Sequence, residues 1–185
     1  MPTRPEMGAL LNLEVDLIPA SNPGRTNRAM VPRYITVHNT SNTSRTADAD
    51  AHRRLLNRSQ GYYYTTRTGR KIYLTWHYTV DDRQTIKHLN VSQQGIHASS
   101  SVGNSSSIGI EICINAGIDQ DAAFLRAARL VAVLRHDLAI GAANVRAHYH
   151  WNRKKCPILL MDSGRPGTKW NAFLTMCDRE LASIV

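Results

Sequence analysis

The segment SIGIEICIN, residues 107–115, limits the possible folds more than any other stretch of the chain. Ile108, Ile110, Ile112 and Ile114 fall on one face of an extended backbone, and Gly109, Glu111 and Cys113 on the other, a period of two that specifies a strand. A carboxylate in the middle of so apolar a strand is costly to bury without a partner. Glu111 must therefore either meet a cation or work as an acid/base, which makes it a candidate for chemistry. Cys113, on the same face as Glu111, reads as a small buried filler.

The other elements follow from similar patterns. Tyr34, Thr36 and His38 alternate with Ile35 and Val37, predicting a half-buried strand whose polar side ends in a histidine. His38 lies at its C-terminal end, where α/β folds tend to put chemistry, although a histidine there can equally be a plain hydrogen-bonding residue. Residues 76–80, WHYTV, and a segment around Thr85–Leu89 flank a polar turn and predict a hairpin, with His77 and Thr79 opposite Trp76, Tyr78 and Val80. Ser44 or Thr46 can cap a helix with Ala47, Ala51 and Leu55 as its stripe. Residues 61–74, GYYYTTRTGRKIYL, read as a hairpin-like insertion or mobile loop whose tyrosines either stack on sugar rings or simply pack. Residues 93–107 read as a Gly/Ser-rich loop around His97, either lining a cleft or serving as a connector. The clearest helix runs from Asp119 to Leu138, stopped by Gly141, and a last one starts near Lys169 with Cys177 in its apolar stripe.

Residues 146–157, RAHYHWNRKKCP, concentrate side chains suited to metal chemistry. His148 and Cys156 can clamp one side of a zinc ion, with Lys154 beside the metal. The spacing is not that of a structural zinc finger, so a third ligand must come from elsewhere, and His38 is the best candidate. If residues 144–149 are extended, His148 and His150 share a face, and spacing does not choose between them. The competing reading is a solvated basic loop with one buried cysteine.

Charge and composition narrow the partner. A formal charge of +9 and a pI near 9.9 imply an anionic one. The basic residues are scattered, and no zinc-finger, RNP or helix-turn-helix signature supports nucleic acid. No stretch approaches the ~20 apolar residues a membrane span needs, so no membrane insertion is expected, and the N-terminus lacks a recognisable signal peptide. Three cysteines, Cys113, Cys156 and Cys177, are an odd count with no close pairing pattern, so no disulfide framework is expected.

With these residues in hand, the chain resembles the type-2 N-acetylmuramoyl-L-alanine amidases. This zinc-dependent family includes phage endolysins, Bacillus prophage autolysins and, more distantly, peptidoglycan recognition proteins. The resemblance is carried by YITVHNTSNT at 34–43, WHYTVDD at 76–82, GIHA at 95–98, SIGIEIC at 107–113 and the segment from His148 through the K-x-C-P at 154–157, in the family's order. It implies an α/β fold with a central mixed β-sheet flanked by helices, an N-terminal arm over 1–29 and a catalytic domain over 30–185. One Zn2+ per chain would be held by His38, His148 and Cys156, with Glu111 and Lys154 catalytic and His77, His97 and Asn39 contacting substrate. The implied substrate is bacterial peptidoglycan, cut at the amide between N-acetylmuramic acid and L-alanine, with anionic cell-wall polymers attracted by charge and the cell wall as the place of action. One departure is Trp76, which stands where T7-type lysozymes have a tyrosine. A binding module that recognises muropeptides without cutting them is the alternative, and the presence of Cys156 argues for the enzyme.

Overall fold

A computed structural model describes residues 3–184, so the outer ends of the expected arm and catalytic domain, residues 1–2 and 185, lie outside the described residues. In chain order the elements are α1 (Arg4–Ala9), β1 (Leu13–Val15), β2 (Tyr34–Asn39), α2 (Ala49–Leu56), β3 (Tyr64–Thr65), β4 (Lys71–Ile72), β5 (Tyr78–Val80) and β6 (Thr85–Lys87). There follow α3 (Ser101–Ser106), β7 (Ser107–Ile112), α4 (Gln120–Leu138), β8 (Val145–Ala147), α5 (Tyr149–Asn152), β9 (Met161–Asp162), β10 (Arg165–Pro166) and α6 (Thr168–Ala182). One mixed sheet in the order β1-β6-β5-β7-β2-β8 forms the centre. Its four strands β5, β7, β2 and β8 are mutually parallel, so their C-terminal ends open on one edge.

The isoleucine face of β7 does what its period requires. Ile108, Ile110 and Ile112 join Ile35 and Val37 in a core completed by Ala123, Ala127, Leu130 and Val131 of α4 and Phe173 and Cys177 of α6. Asp119, the residue just before α4, caps it by accepting from Ala122 N–H at 3.0 Å. The stop comes two residues before Gly141, at Ala139, which takes the left-handed conformation (φ 53°).

The opposite face of the sheet is buried too, and here the expectation of a half-buried β2 fails. Trp151 Nε1–H donates to Thr36 Oγ1 (2.9 Å), Thr36 donates to Ser107 Oγ (2.8 Å), and Ser107 donates to the Gly103 carbonyl (2.7 Å). These bonds draw α3 and the indole of Trp151 over the polar side of the strand, sealing groups that alternation alone would leave to water.

Four further expectations are corrected. Asp48, not Ser44 or Thr46, caps α2, and its buried face is Ala49, His52 and Leu56. The Gly/Ser-rich loop contains α3, capped by Ser100, because serine side chains there satisfy its backbone rather than solvent. Trp76 precedes β5 and packs with Ile18, Leu56 and Leu89, away from the core that holds Tyr78 and Val80. Finally, much of the N-terminal arm is built into the domain: Met7, Leu11 and Ile18 are buried and β1 pairs with β6. The residue 61–74 insertion is a hairpin, β3 against β4, as its turn suggests.

Candidate active site

The open C-terminal edge of the parallel strands is where the chemistry collects, as the general rule for open α/β sheets expects. His38 sits at the end of β2, directly opposite Glu111 of β7 in register. On the other side of β2, β8 ends at Ala147 and hands the chain to His148, whose N–H donates to the Val37 carbonyl (3.2 Å). The backbone then turns through α5 and returns, with Tyr149 N–H donating to the Cys156 carbonyl (3.0 Å). Three neighbouring strands thus deliver two imidazoles and a carboxylate to one spot, and the α5 turn brings the thiol back to them.

His38, His148 and Cys156 are all buried, and their ligand atoms lie within 4.8 Å of one another. The Nδ1 atoms of the two histidines are 2.9 Å apart, and Cys156 Sγ is 3.8 Å from His38 Nδ1. Ligands on one tetrahedral zinc at about 2.0–2.3 Å would stand roughly 3.3–3.6 Å apart. The observed separations bracket that range, and the two-nitrogen, one-sulfur donor set suits zinc. Because α5 is helical, His150 points out of this cluster into a separate exposed groove beside Arg146 and Arg153. The extended-chain alternative for His148 and His150 therefore does not arise.

Burial sets the protonation of the cluster. It holds His38 well below the usual histidine range, an effect reinforced by His97 and His148, and it brings His148 down to about 4 with Lys154 adding to it. Both rings are neutral at pH 7, the state a metal requires. Burial likewise pushes the Cys156 thiol up to about 12, with Glu111 adding to the rise. Glu111 itself is raised to about 8 by burial, which Lys154 opposes. Its Oε1 is 3.8 Å from His38 Nδ1, and its Oε2 has no hydrogen-bond partner among the described residues. A largely buried carboxyl with an unpartnered oxygen beside three metal-type ligands is an arrangement a cation would complete.

A cleft of about 320 Å3 opens above this cluster. Its floor is His38, Glu111 and His148, with Asn39, His97 and Lys154 at its margins and Tyr63, Tyr64, Ile72, Leu74 and Trp76 along one wall. The β3–β4 hairpin builds that wall: Tyr63 stands edge-on to Trp76, ring centroids 5.7 Å apart. The tyrosine-rich stretch is thus a cleft wall, which its composition hinted at but could not fix. Sequence reasoning missed Asn104, whose Oδ1 accepts from the N–H groups of both His97 and Ala98 (2.9 and 2.8 Å). Nothing in a serine-rich run distinguishes that asparagine.

The remaining expected residues fall in different places. Asn39 lines the cleft, but its side chain is occupied: Oδ1 accepts from Leu159 N–H (3.0 Å) and Nδ2 donates to the Ile112 carbonyl (3.4 Å). It ties the cysteine-bearing loop to the sheet. His77 is fully buried behind His97 and does not line the cleft; its Nδ1 accepts from Gly109 N–H (2.9 Å) and its Nε2 donates to the Gln93 carbonyl (2.8 Å). Lys154 is exposed at the rim, and its charge acts on all four buried groups.

Burial lowers His77 to about 4, and it lowers His88, packed against Trp76 and Thr79, to about 3. The unfolded chain takes up protons at these rings from about pH 6.5 downward, while the folded chain does not until near those lower values. Stability is therefore full above pH 6.5 and is lost as pH falls, by up to ~1.4 kcal/mol per pH unit for each ring. Urea midpoints at pH 7 and pH 5 are expected to differ in that direction; equal midpoints would contradict neutral burial.

Fold and site together define a class: an α/β domain with a cleft over a buried His/His/Cys cluster beside a largely buried carboxyl at the C-terminal ends of parallel strands. Residues 27–158 match the family described as N-acetylmuramoyl-L-alanine amidase, and the chain belongs to that family. It is 40% identical over 166 residues to the N-acetylmuramoyl-L-alanine amidase XlyA of Bacillus subtilis (strain 168), an alignment that covers 89% of this chain and 50% of that protein. CwlH of the same strain, also an N-acetylmuramoyl-L-alanine amidase, is 38% identical over 171 residues, covering 89% of this chain and 60% of CwlH. The chain thus spans about half of these curated relatives. Among solved structures, the catalytic domain of XlyA superposes with a TM-score of 0.78 at 38% identity, covering 90% of this chain and 99% of that one. The PlyG catalytic domain gives 0.75 at 26% identity, covering 91% and 94%. The central mixed sheet flanked by helices, expected from the sequence, is the fold these domains share.

Proposed function

We propose that this chain is a zinc-dependent peptidoglycan hydrolase that cleaves the amide between N-acetylmuramic acid and the L-alanine of the stem peptide. The observation that carries the reading is the buried convergence of His38, His148 and Cys156 with Glu111 alongside, in a chain of this family. His38, His148 and Cys156 would hold the ion, one per chain. Zinc bound there supplies a Lewis acid that can bring the pKa of a water molecule down to roughly 7.

The chain's own groups account for the rest. Glu111, on the cleft floor with 15% of its side chain exposed, is positioned to take a proton from the attacking water and to return it to the leaving amine. Lys154 offers an ammonium to the negative charge that develops on the former carbonyl oxygen. The wall of Tyr63 and Tyr64, backed by the buried Trp76, presents aromatic surface to a sugar or peptide. Among the described residues no helix is long and apolar enough to cross a membrane, and the +9 charge favours approach to anionic wall polymers. The cell wall is the proposed place of action.

Incubating purified walls with the protein is expected to release new L-alanine amino groups, to stop doing so after chelation, and to resume when zinc is returned. Binding to walls with no new amino groups would instead favour the recognition module. Zinc binding at pH 7 is also expected to release at least one proton, because the Cys156 thiol, at about 12 without metal, must bind as thiolate. Glu111, at about 8, contributes a further share that Glu111→Gln removes. The neutral imidazoles contribute none. Calorimetry in buffers of different ionisation enthalpy counts these protons, and a count of zero would contradict the assignment.

A further inference from the structure

His97 does not turn either ring nitrogen to the cleft. Its Nε2 lies 3.2 Å from the Ser107 carbonyl, and its Nδ1 lies 3.1 Å from His38 Nε2. We infer that His97 is a positioning residue for the metal site, holding His38 as the Nε2–H tautomer so that its Nδ1 lone pair faces the ion.

The hydrogen bonds allow one direction only. A carbonyl oxygen can only accept, so His97 Nε2 carries a proton. A neutral imidazole has a single N–H, so His97 Nδ1 must accept, and the donor within reach is His38 Nε2. That leaves His38 Nδ1 bare, the atom that stands 2.9 Å from His148 Nδ1 and 3.8 Å from Cys156 Sγ. A second shell that fixes the tautomer and ring angle of a ligating histidine is a general device of metal sites. Here a carbonyl and a second imidazole supply it.

The surroundings of His97 hold it to this task. Its ring lies against Gly109, where a Cβ would come within 2.7 Å of His97 Cγ. Edge-on to it stands His77, centroids 5.9 Å apart, with both of its own nitrogens committed to backbone groups and none left for His97. Asn104 of α3 fixes the backbone on either side of the ring. This gives the Gly/Ser-rich segment and the glycine of β7 a shared purpose: they make room for an imidazole one layer behind the ligand. His97, expected from the family resemblance to meet substrate, instead serves His38.

The inference rests on the proposed metal site, yet its first test needs no metal. In the native chain freed of metal and labelled with 15N, long-range 1H–15N correlation is expected to show His38 protonated at Nε2 and bare at Nδ1. A His38 protonated at Nδ1 would overturn the inference. Zinc affinity, measured by competition with a chelator, is expected to fall 10–100-fold in His97→Ala. In His97→Asn, whose Oδ1 can accept in place of Nδ1, it should return to within a few-fold of native. A folded His97→Ala chain with native affinity, or an Asn variant as weak as the Ala one, would also overturn it. Should His97→Ala fail to fold, the tautomer of the native chain decides the matter alone. A native chain that binds no zinc would sink the proposed function, while the His38 tautomer would still be readable.

Discussion

Glu111→Gln is expected to leave zinc bound and to lower hydrolysis of wall substrate by about 10^2 to 10^4-fold, the range a positioned proton-transfer group supplies. Glutamine keeps the shape and the register opposite His38 but cannot take a proton from water. The fold should not suffer. Glu111 costs free energy to ionise where it sits, which is why its carboxyl is raised to about 8, and its Oε2 has no partner among the described residues. An uncharged amide avoids that penalty, so the thermal midpoint of the metal-free variant is expected to match or exceed that of the native chain. Steady-state turnover together with zinc content reads both halves. Native turnover would remove Glu111 from the mechanism, and lost zinc would recast it as part of the metal site.

The second large effect belongs to Cys156. Cys156→Ser is expected to weaken zinc binding by about 10^3-fold, since one ligand's share of a tightly held zinc is several kcal/mol out of roughly 10–16. A serine hydroxyl is a harder donor and stays protonated where a thiol is ionised by the metal. Lost affinity rather than lost structure should explain the result, because the loop that carries Cys156 is held independently. Leu159 N–H binds Asn39 Oδ1, and the Cys156 carbonyl accepts from Tyr149. Activity should therefore vanish at micromolar zinc and return in part at millimolar zinc, with an unchanged far-UV spectrum at both. Native affinity in this variant would mean that the sulfur does not touch the ion.

Periodicity made the frame legible. The alternation of β7, the β2 pattern beside it and the 3.6-residue stripe of α4 each report a buried face, and burial is what sequence patterning records. Where alternation stops informing is the second face of the sheet. Thr36 reads as polar and outward, yet it and Ser107 are covered because Trp151 and α3 satisfy them, partners up to 115 residues away in the chain. α3 escaped notice for a related reason: its helix is stabilised by serine side chains bonding to backbone, a pattern that composition reports as loop.

The candidate site was legible in parts. Glu111 stood out from local chemistry alone, as a carboxylate in an apolar strand. His38 and His148 could be seen at strand ends, but their meeting depends on β2 lying between β7 and β8, an ordering that no local pattern encodes. For His77 and His97 the family motif supplied residue identities without their depth. One is locked behind the other, and only the three-dimensional stacking of the rings reveals that neither turns a nitrogen to the cleft.

Crystals grown with zinc and measured on both sides of its absorption edge would put the central claim to the most direct test. One anomalous peak is expected per chain, bonded at about 2.0–2.3 Å to His38 Nδ1, His148 Nδ1 and Cys156 Sγ, with Glu111 near the ion but not bound to it. A peak elsewhere, or none at these three side chains in protein that still releases L-alanine from walls, would contradict it.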